Sequence, residues 1–125
     1  MAENFDVLIV GGGVAGMTAG MYAANYGLRT GIVERIMGAA SIINIEKIDN
    51  FPGFPEGISG AELGPAVQEQ AMNAGADFII GETSKIAKDG DYRVVSSDAG
   101  GLRAKTVIIA AGSTPRPLGL PLIHI

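Results

Sequence analysis

The chain has 125 residues, no cysteine and a formal net charge of −4 at neutral pH. That length makes one domain, able to bury roughly two thirds of the surface its unfolded chain exposes. The negative balance, with no Arg/Lys stripe, argues against a nucleic-acid surface or an anionic membrane as partner, and without cysteine these residues hold no disulfide, thiolate metal site or dithiol redox pair. The opening MAENFDV lacks a basic, apolar leader pattern, and no run approaches the ~18–20 apolar residues of a membrane span. The expectation is a cytoplasmic protein.

The first structured stretch is Phe5 to Glu34, which reads as strand, turn, helix and strand. Asp6 to Val10 is a short apolar run rich in β-branched residues, and it stops at three consecutive glycines. Gly11, Gly13 and Gly16 stand at GxGxxG spacing. Gly11 allows the tight turn, Gly13 lets a pyrophosphate approach the backbone, and Gly16 lets the helix lie close to the strand. The helix N-terminus at Val14 and Ala15 offers unpaired N–H groups and the positive end of the dipole. Val14, Met17, Met21 and Ala24 keep helical spacing until Gly27, and Gly31-Ile32-Val33 begins the next strand. Glu34 closes that strand, where a carboxylate can accept hydrogen bonds from ribose hydroxyls and would repel a 2′-phosphate. The pattern points to a dinucleotide site and leaves NAD and FAD open.

Arg35 to Asn50 has no clean period. Its small residues Gly38, Ala39, Ala40 and Ser41 indicate a backbone passing close to something, with Ile42, Ile43, Ile45 and Ile48 as a buried edge. Asn50 to Pro55 is a rigid aromatic turn with two prolines. Ser59 and Glu62 form a capping box for a packing helix from Gly60 to Asn73, in which Pro65 is tolerated near the start and Gly75 provides the stop. Its apolar face is Leu63, Val67, Gln70/Ala71 and Ala74. Met17, Met21 and Met72 read as helix packing.

Asp77 to Ile80 reads as a strand. TSKIAK, YRVVSS and LRAK, separated by turn residues, predict an antiparallel meander. Thr106 to Ala110 reads as a buried parallel strand ending at Ala111-Gly112, where its carboxyl end would face the glycine turn. The proline-rich tail from Pro115 to Ile125 looks like a linker. No catalytic constellation is evident: His124 has no acid or nucleophile beside it, and no serine lies in a GxSxG context.

Three stretches, GGGVAGMTAGMYAANYGL, KIDNFPGFPEGISGAEL and TVIIAAGSTPRPLGLP, together resemble the FAD domain of the low-molecular-weight thioredoxin reductase family. The resemblance implies an α/β, Rossmann-like FAD-binding domain with a central parallel sheet and an antiparallel β-meander, incomplete relative to the family. Residues 1–114 would be the N-terminal portion of that domain, and residues 115–125 a truncated linker toward an absent NADPH domain. FAD would place its pyrophosphate over Gly11 to Gly16 and its adenosine ribose at Glu34. Arg35, Ala40 and Ser41 match the family's flavin-side loop, with Ala39, Ala40 and Ser41 replacing its glycine pair and glutamine. Asn50 matches a residue near the isoalloxazine ring, Ile86 one whose backbone holds the adenine, and Ala110-Ala111-Gly112 an ATG-type turn with its threonine replaced by Ala111.

The family's NADPH domain and CxxC dithiol have no counterpart in these residues. The implied role is therefore FAD binding within a flavoprotein that passes a hydride from NAD(P)H to FAD and on to a disulfide or other acceptor. Two other readings stand beside it: an NAD-binding Rossmann domain, and a non-catalytic interaction module, with a homodimer covering apolar surface.

Overall fold

The computed structural model describes residues 4–113, so the tail with His124 lies outside the described residues. The elements are β1 (Asn4–Val10), α1 (Val14–Asn25), β2 (Thr30–Glu34), α2 (Gly60–Ala74), β3 (Asp77–Ile80), β4 (Thr83–Asp89), β5 (Tyr92–Ser97) and β6 (Gly100–Ile109). All six strands join one sheet in the order β3-β2-β1-β6-β5-β4. β1 lies between β2 and β6 and is parallel to both, and β3 continues the parallel half beside β2. β4, β5 and β6 form the antiparallel half.

β1 is apolar from Val7 to Val10 because both of its faces are covered there, as in buried parallel strands generally. On one face lie α1 and α2, enclosing Val7, Ile9, Met17, Ile32, Leu63, Val67 and Ala71. α1 approaches the sheet through small residues: Gly16, Gly20 and Ala23 are buried beside Met17. A methyl group on Gly20 would come within 2.5 Å of Ile32 Cδ1, and one on Gly16 would collide with the Gly11 carbonyl oxygen. α2 is capped by Ser59, whose hydroxyl accepts the Glu62 N–H at 3.2 Å, and it ends at Gly75 in the left-handed conformation. Only the Ser59 half of the expected capping box forms a hydrogen bond.

The opposite face encloses Phe5, Leu8, Val33, Val95, Leu102 and Ala104. β2 and β5 thus share a core although two strands separate them in the sheet. The connectivity explains why. β3 and β4 are the two edges of the sheet, yet only Gly81 and Glu82 join them. Six strands laid flat would hold their edges about 24 Å apart, whereas three Cα–Cα steps reach about 11 Å. The sheet must curl until its edges nearly meet, and this second core fills the curl.

Several expectations change. The meander's third segment and the Thr106–Ala110 strand are one element, β6, which pairs with β5 on one side and β1 on the other. Its last turn of sequence is not buried: Ile108 is 40% and Ile109 69% exposed among the described residues, because α1 and α2 cover β1 to β3 and no described element crosses β6. In the Ile42–Ile48 stretch, Ile42 and Ile48 pack against the helical core while Ile43 and Ile45 face solvent. Met72 and Gln70 also lie on the outside of α2, since its inward stripe is Leu63, Gly64, Val67 and Ala71. No helix among the described residues is long and apolar enough to cross a membrane.

The Gly16 contact makes a specific prediction. Alanine in a solvent-facing helix gains about 1 kcal/mol over glycine, but Gly16→Ala should lower unfolding free energy by about 1–3 kcal/mol because backbone must shift. Ser59→Ala should cost about 1 kcal/mol through the lost cap. Urea denaturation followed by circular dichroism measures both.

Candidate functional site

The carboxyl ends of β1, β2 and β6 converge on the glycine turn. Gly11 N–H donates to the Val33 carbonyl at 2.9 Å, and Ala110 N–H to the Val10 carbonyl at 2.8 Å. Gly11 has a φ of +116°, and a Cβ there would strike the Ala110 carbonyl, so the residue is constrained by conformation and by space. Gly13 caps α1 with extended backbone and has nothing within 4 Å of where a Cβ would stand. Gly11 therefore serves the fold, and Gly13 keeps open the approach to the helix N-terminus.

Glu34 is the centre of the polar geometry. Its Oε2 accepts the Gly12 N–H at 2.7 Å and its Oε1 accepts the Arg35 N–H at 2.7 Å. Each carboxylate oxygen keeps a further acceptor site, so the group is oriented by the backbone and still able to receive hydroxyl donors. Gly12 is tied to the same arrangement, since a Cβ on it would lie 2.7 Å from Glu34 Cβ.

Two cavities meet at this point. The larger, of about 630 Å³, is lined by Gly13, Glu34, Arg35, Ile36, Ala40, Ser41, Ile42, Ala110, Ala111, Gly112 and Ser113. The smaller, of about 230 Å³, is lined by Val10, Gly11, Val33, Glu34, Arg35, Gly81, Glu82, Thr83 and Ala111. Glu34, Arg35 and Ala111 border both. Across the smaller cavity an exposed ion pair joins Arg35 Nη1 to Glu82 Oε1 at 3.8 Å, and beside it the Thr83 hydroxyl is buried without a hydrogen-bond partner.

The loop lining the larger cavity is held by close packing on α2. Ala39 is buried in the helical core, and Cβ atoms on Gly60 and Gly64 would collide with the carbonyls of Ile42 and Gly38. These two glycines, one helical turn apart, let the loop lie directly on the helix. The small residues of Gly38 to Ser41 thus pass close to α2 on one side and to the cavity on the other. Ala39 adopts a φ of +55°, the only left-handed non-glycine residue among those described. This conformation strains an alanine and suits the glycine that the resemblance implies there.

The structure brings Gly11, Gly13, Glu34, Arg35, Ala40, Ser41, Ala110, Ala111 and Gly112 to the two cavities. Val14, Ala15 and Gly16 form the first turn of α1 beside them. Asn50 is exposed in the aromatic turn closed by the Ile48–Ile58 bridge, and Ile86 is half-buried in β4 against the second core; neither lines either of these two cavities. Sequence reasoning passed over Gly12, Gly81, Glu82 and Thr83. The nearest signal was positional: Gly81-Glu82 follows β3 at the same level as Glu34, its registered neighbour being Ile80. Among the described residues no cluster of His, Asp or Glu could hold a metal ion.

This arrangement has known counterparts. A profile of the pyridine nucleotide-disulphide oxidoreductases matches residues 5–123. Thioredoxin reductase of Bacillus subtilis is 37% identical over 117 residues, which cover 94% of this chain and 37% of that protein. The structure of thioredoxin reductase from Streptococcus pyogenes superposes with a TM-score of 0.87 at 39% identity, over 97% of this chain and 39% of that one. The Lactococcus lactis thioredoxin reductase structure gives a TM-score of 0.87 at 35% identity, over 94% and 38%. The chain spans well under half the length of these relatives. It belongs to the pyridine nucleotide-disulphide oxidoreductase family, in a form similar to the thioredoxin reductases.

Proposed function

We propose that this chain binds FAD and supplies the FAD-binding region of a thioredoxin reductase-like flavoprotein oxidoreductase. The observation that carries the reading is the oriented Glu34 carboxylate at the junction of two cavities, beside the open N-terminus of α1. A dinucleotide has two bulky ends and a central pyrophosphate, and this site offers two compartments with a glycine turn between them.

The residues fit that group. The α1 N-terminus, reached past Gly13, favours a pyrophosphate through free N–H groups and the helix dipole. Glu34 would accept from the adenosine ribose, with Gly81 to Thr83 in the neighbouring cavity to hold the adenine side. The larger cavity, with Ala40, Ser41 and the Ala110–Ser113 end of β6, takes the flavin side. When bound, the flavin supplies hydride transfer between a nicotinamide and an acceptor. The chain's own residues bind and orient it, and with Ala111 in place of a hydroxyl residue Ala110 to Gly112 offer backbone groups only, leaving Ser113 as the hydroxyl at this end. NADPH and the acceptor would be engaged by parts of the whole enzyme beyond these residues.

Purified chain incubated with FAD and then freed of unbound FAD by gel filtration should stay yellow, and FAD at a hundredfold excess over its dissociation constant should stabilise it by about 2.7 kcal/mol. A colourless protein whose melting temperature ignores FAD would overturn the reading. Gly13→Ala should keep its stability within about 1 kcal/mol, since the new methyl meets nothing and glycine-to-alanine at a helix N-cap is a modest change. The same variant should bind FAD at least about tenfold more weakly, a loss of 1.4 kcal/mol, because the methyl stands where the pyrophosphate approaches. Mixed with FAD and NADPH, the chain alone is expected to show no bleaching of the flavin band at enzymatic rates.

A further inference from the structure

The wall of the smaller cavity is formed by the two-residue connection between β3 and β4, and an unassigned acid holds it. Gly81 N–H donates to the Glu34 carbonyl at 3.0 Å, which fixes one side of the Gly81-Glu82 link to β2. The other side is fixed from the β5–β6 turn, where Asp98 Oδ1 accepts the Glu82 N–H at 2.7 Å. Asp98 and Glu82 are 16 residues apart, so this hydrogen bond ties two separate connections together.

The turn that presents Asp98 is itself ordered. The Ser97 hydroxyl accepts the Ala99 N–H at 3.1 Å and donates to the Gly100 carbonyl at 3.2 Å. A Cβ on Gly81 would lie 3.0 Å from Asp98 Oδ1, 3.1 Å from Ala99 Cβ and 3.1 Å from Ser97 Oγ. Gly81 is buried because the turn closes directly over it. The link is thus held between the Glu34 carbonyl and the Asp98 carboxylate, and it lines the cavity with Gly81, Glu82 and Thr83.

We infer that Asp98 is a positioning residue for nucleotide binding: by holding the Glu82 N–H it sets the wall of the cavity that receives the adenosine end of the cofactor. This rests on the FAD-binding reading above and deepens it. Asp98 does not line the cavity, so it acts through the Gly81-Glu82 backbone. A carboxylate accepting a backbone N–H is among the stronger hydrogen bonds of a protein surface, and its removal frees the Glu82 side of a link whose Gly81 side stays bonded to the Glu34 carbonyl.

The test compares wild type, Asp98→Ala and Asp98→Asn by calorimetric titration with FAD and, separately, with ADP, which carries the adenosine and pyrophosphate without the flavin. Far-UV circular dichroism and thermal midpoints are recorded for each. Asp98→Ala should bind both ligands about tenfold more weakly with an unchanged spectrum, while Asp98→Asn, which keeps an accepting oxygen, should stay within about threefold of wild type. Two outcomes overturn the inference: Asp98→Ala binding both ligands like wild type, even with a lowered midpoint, or Asp98→Asn losing as much affinity as Asp98→Ala. Wild type binding neither ligand would instead overturn the FAD-binding reading, so the two failures are told apart.

Discussion

The two-residue link between β3 and β4 is the constraint on which the rest of the structure depends. It joins the opposite edges of a six-stranded sheet, and a chain of that length cannot bridge a flat sheet of that width. The sheet therefore curls, and curling has two consequences. It creates the second core, where Val33 from the parallel half and Val95 from the antiparallel half pack together with Leu8 and Phe5. It also carries Gly81 and Glu82 to the carboxyl end of β2, where they complete a cavity beside Glu34. The core inside the curl and the cavity at its mouth arise from the same connection.

A second constraint acts on the other side of the site. The Gly38–Ile42 loop has no regular hydrogen-bond ladder of its own, and its placement comes from contact with α2. Gly60 and Gly64 provide the flat surface, and Ala39 anchors the loop in the helical core. The left-handed Ala39 is the one place among the described residues where a side chain occupies a conformation better suited to glycine. Burial of its methyl group offsets part of that strain. The site is bounded on one side by a loop held by packing and on the other by a link held by hydrogen bonds.

Much of the parallel half was legible in the sequence. The Asp6–Val10 run, the GxGxxG spacing, Glu34 and the Asp77–Ile80 strand are all local patterns, and each formed the element expected within a few residues. The meander was legible as three segments because its turns carry glycine and aspartate. Its third segment was split from Thr106–Ala110 by the polar Lys105 and Thr106, yet β6 passes straight through them. Lys105 pairs with Asp6 at 3.8 Å and the Thr106 hydroxyl donates to the Asp6 carbonyl at 2.7 Å, so both polar side chains find partners at the sheet. Apolar content likewise overstated burial: Ile108, Ile109 and Met72 are hydrophobic and exposed, because whether a face is covered depends on where other elements pass.

By itself the sequence determined the unit whose parts are adjacent in the chain: strand, glycine turn, helix and acidic strand end, with open space at Gly13. Local sterics and spacing are sufficient for Gly16 and Gly20, whose demands come from residues within about a dozen positions, whereas the space around Gly11 is set by Ala110. Only the tertiary structure decided how that unit becomes a two-compartment site. The packing of Gly11 against Ala110, the seating of Gly38–Ile42 on Gly60 and Gly64, and the meeting of Glu82 with Asp98 all join separate elements. Such pairings follow from sheet curvature and helix packing, which no local pattern encodes.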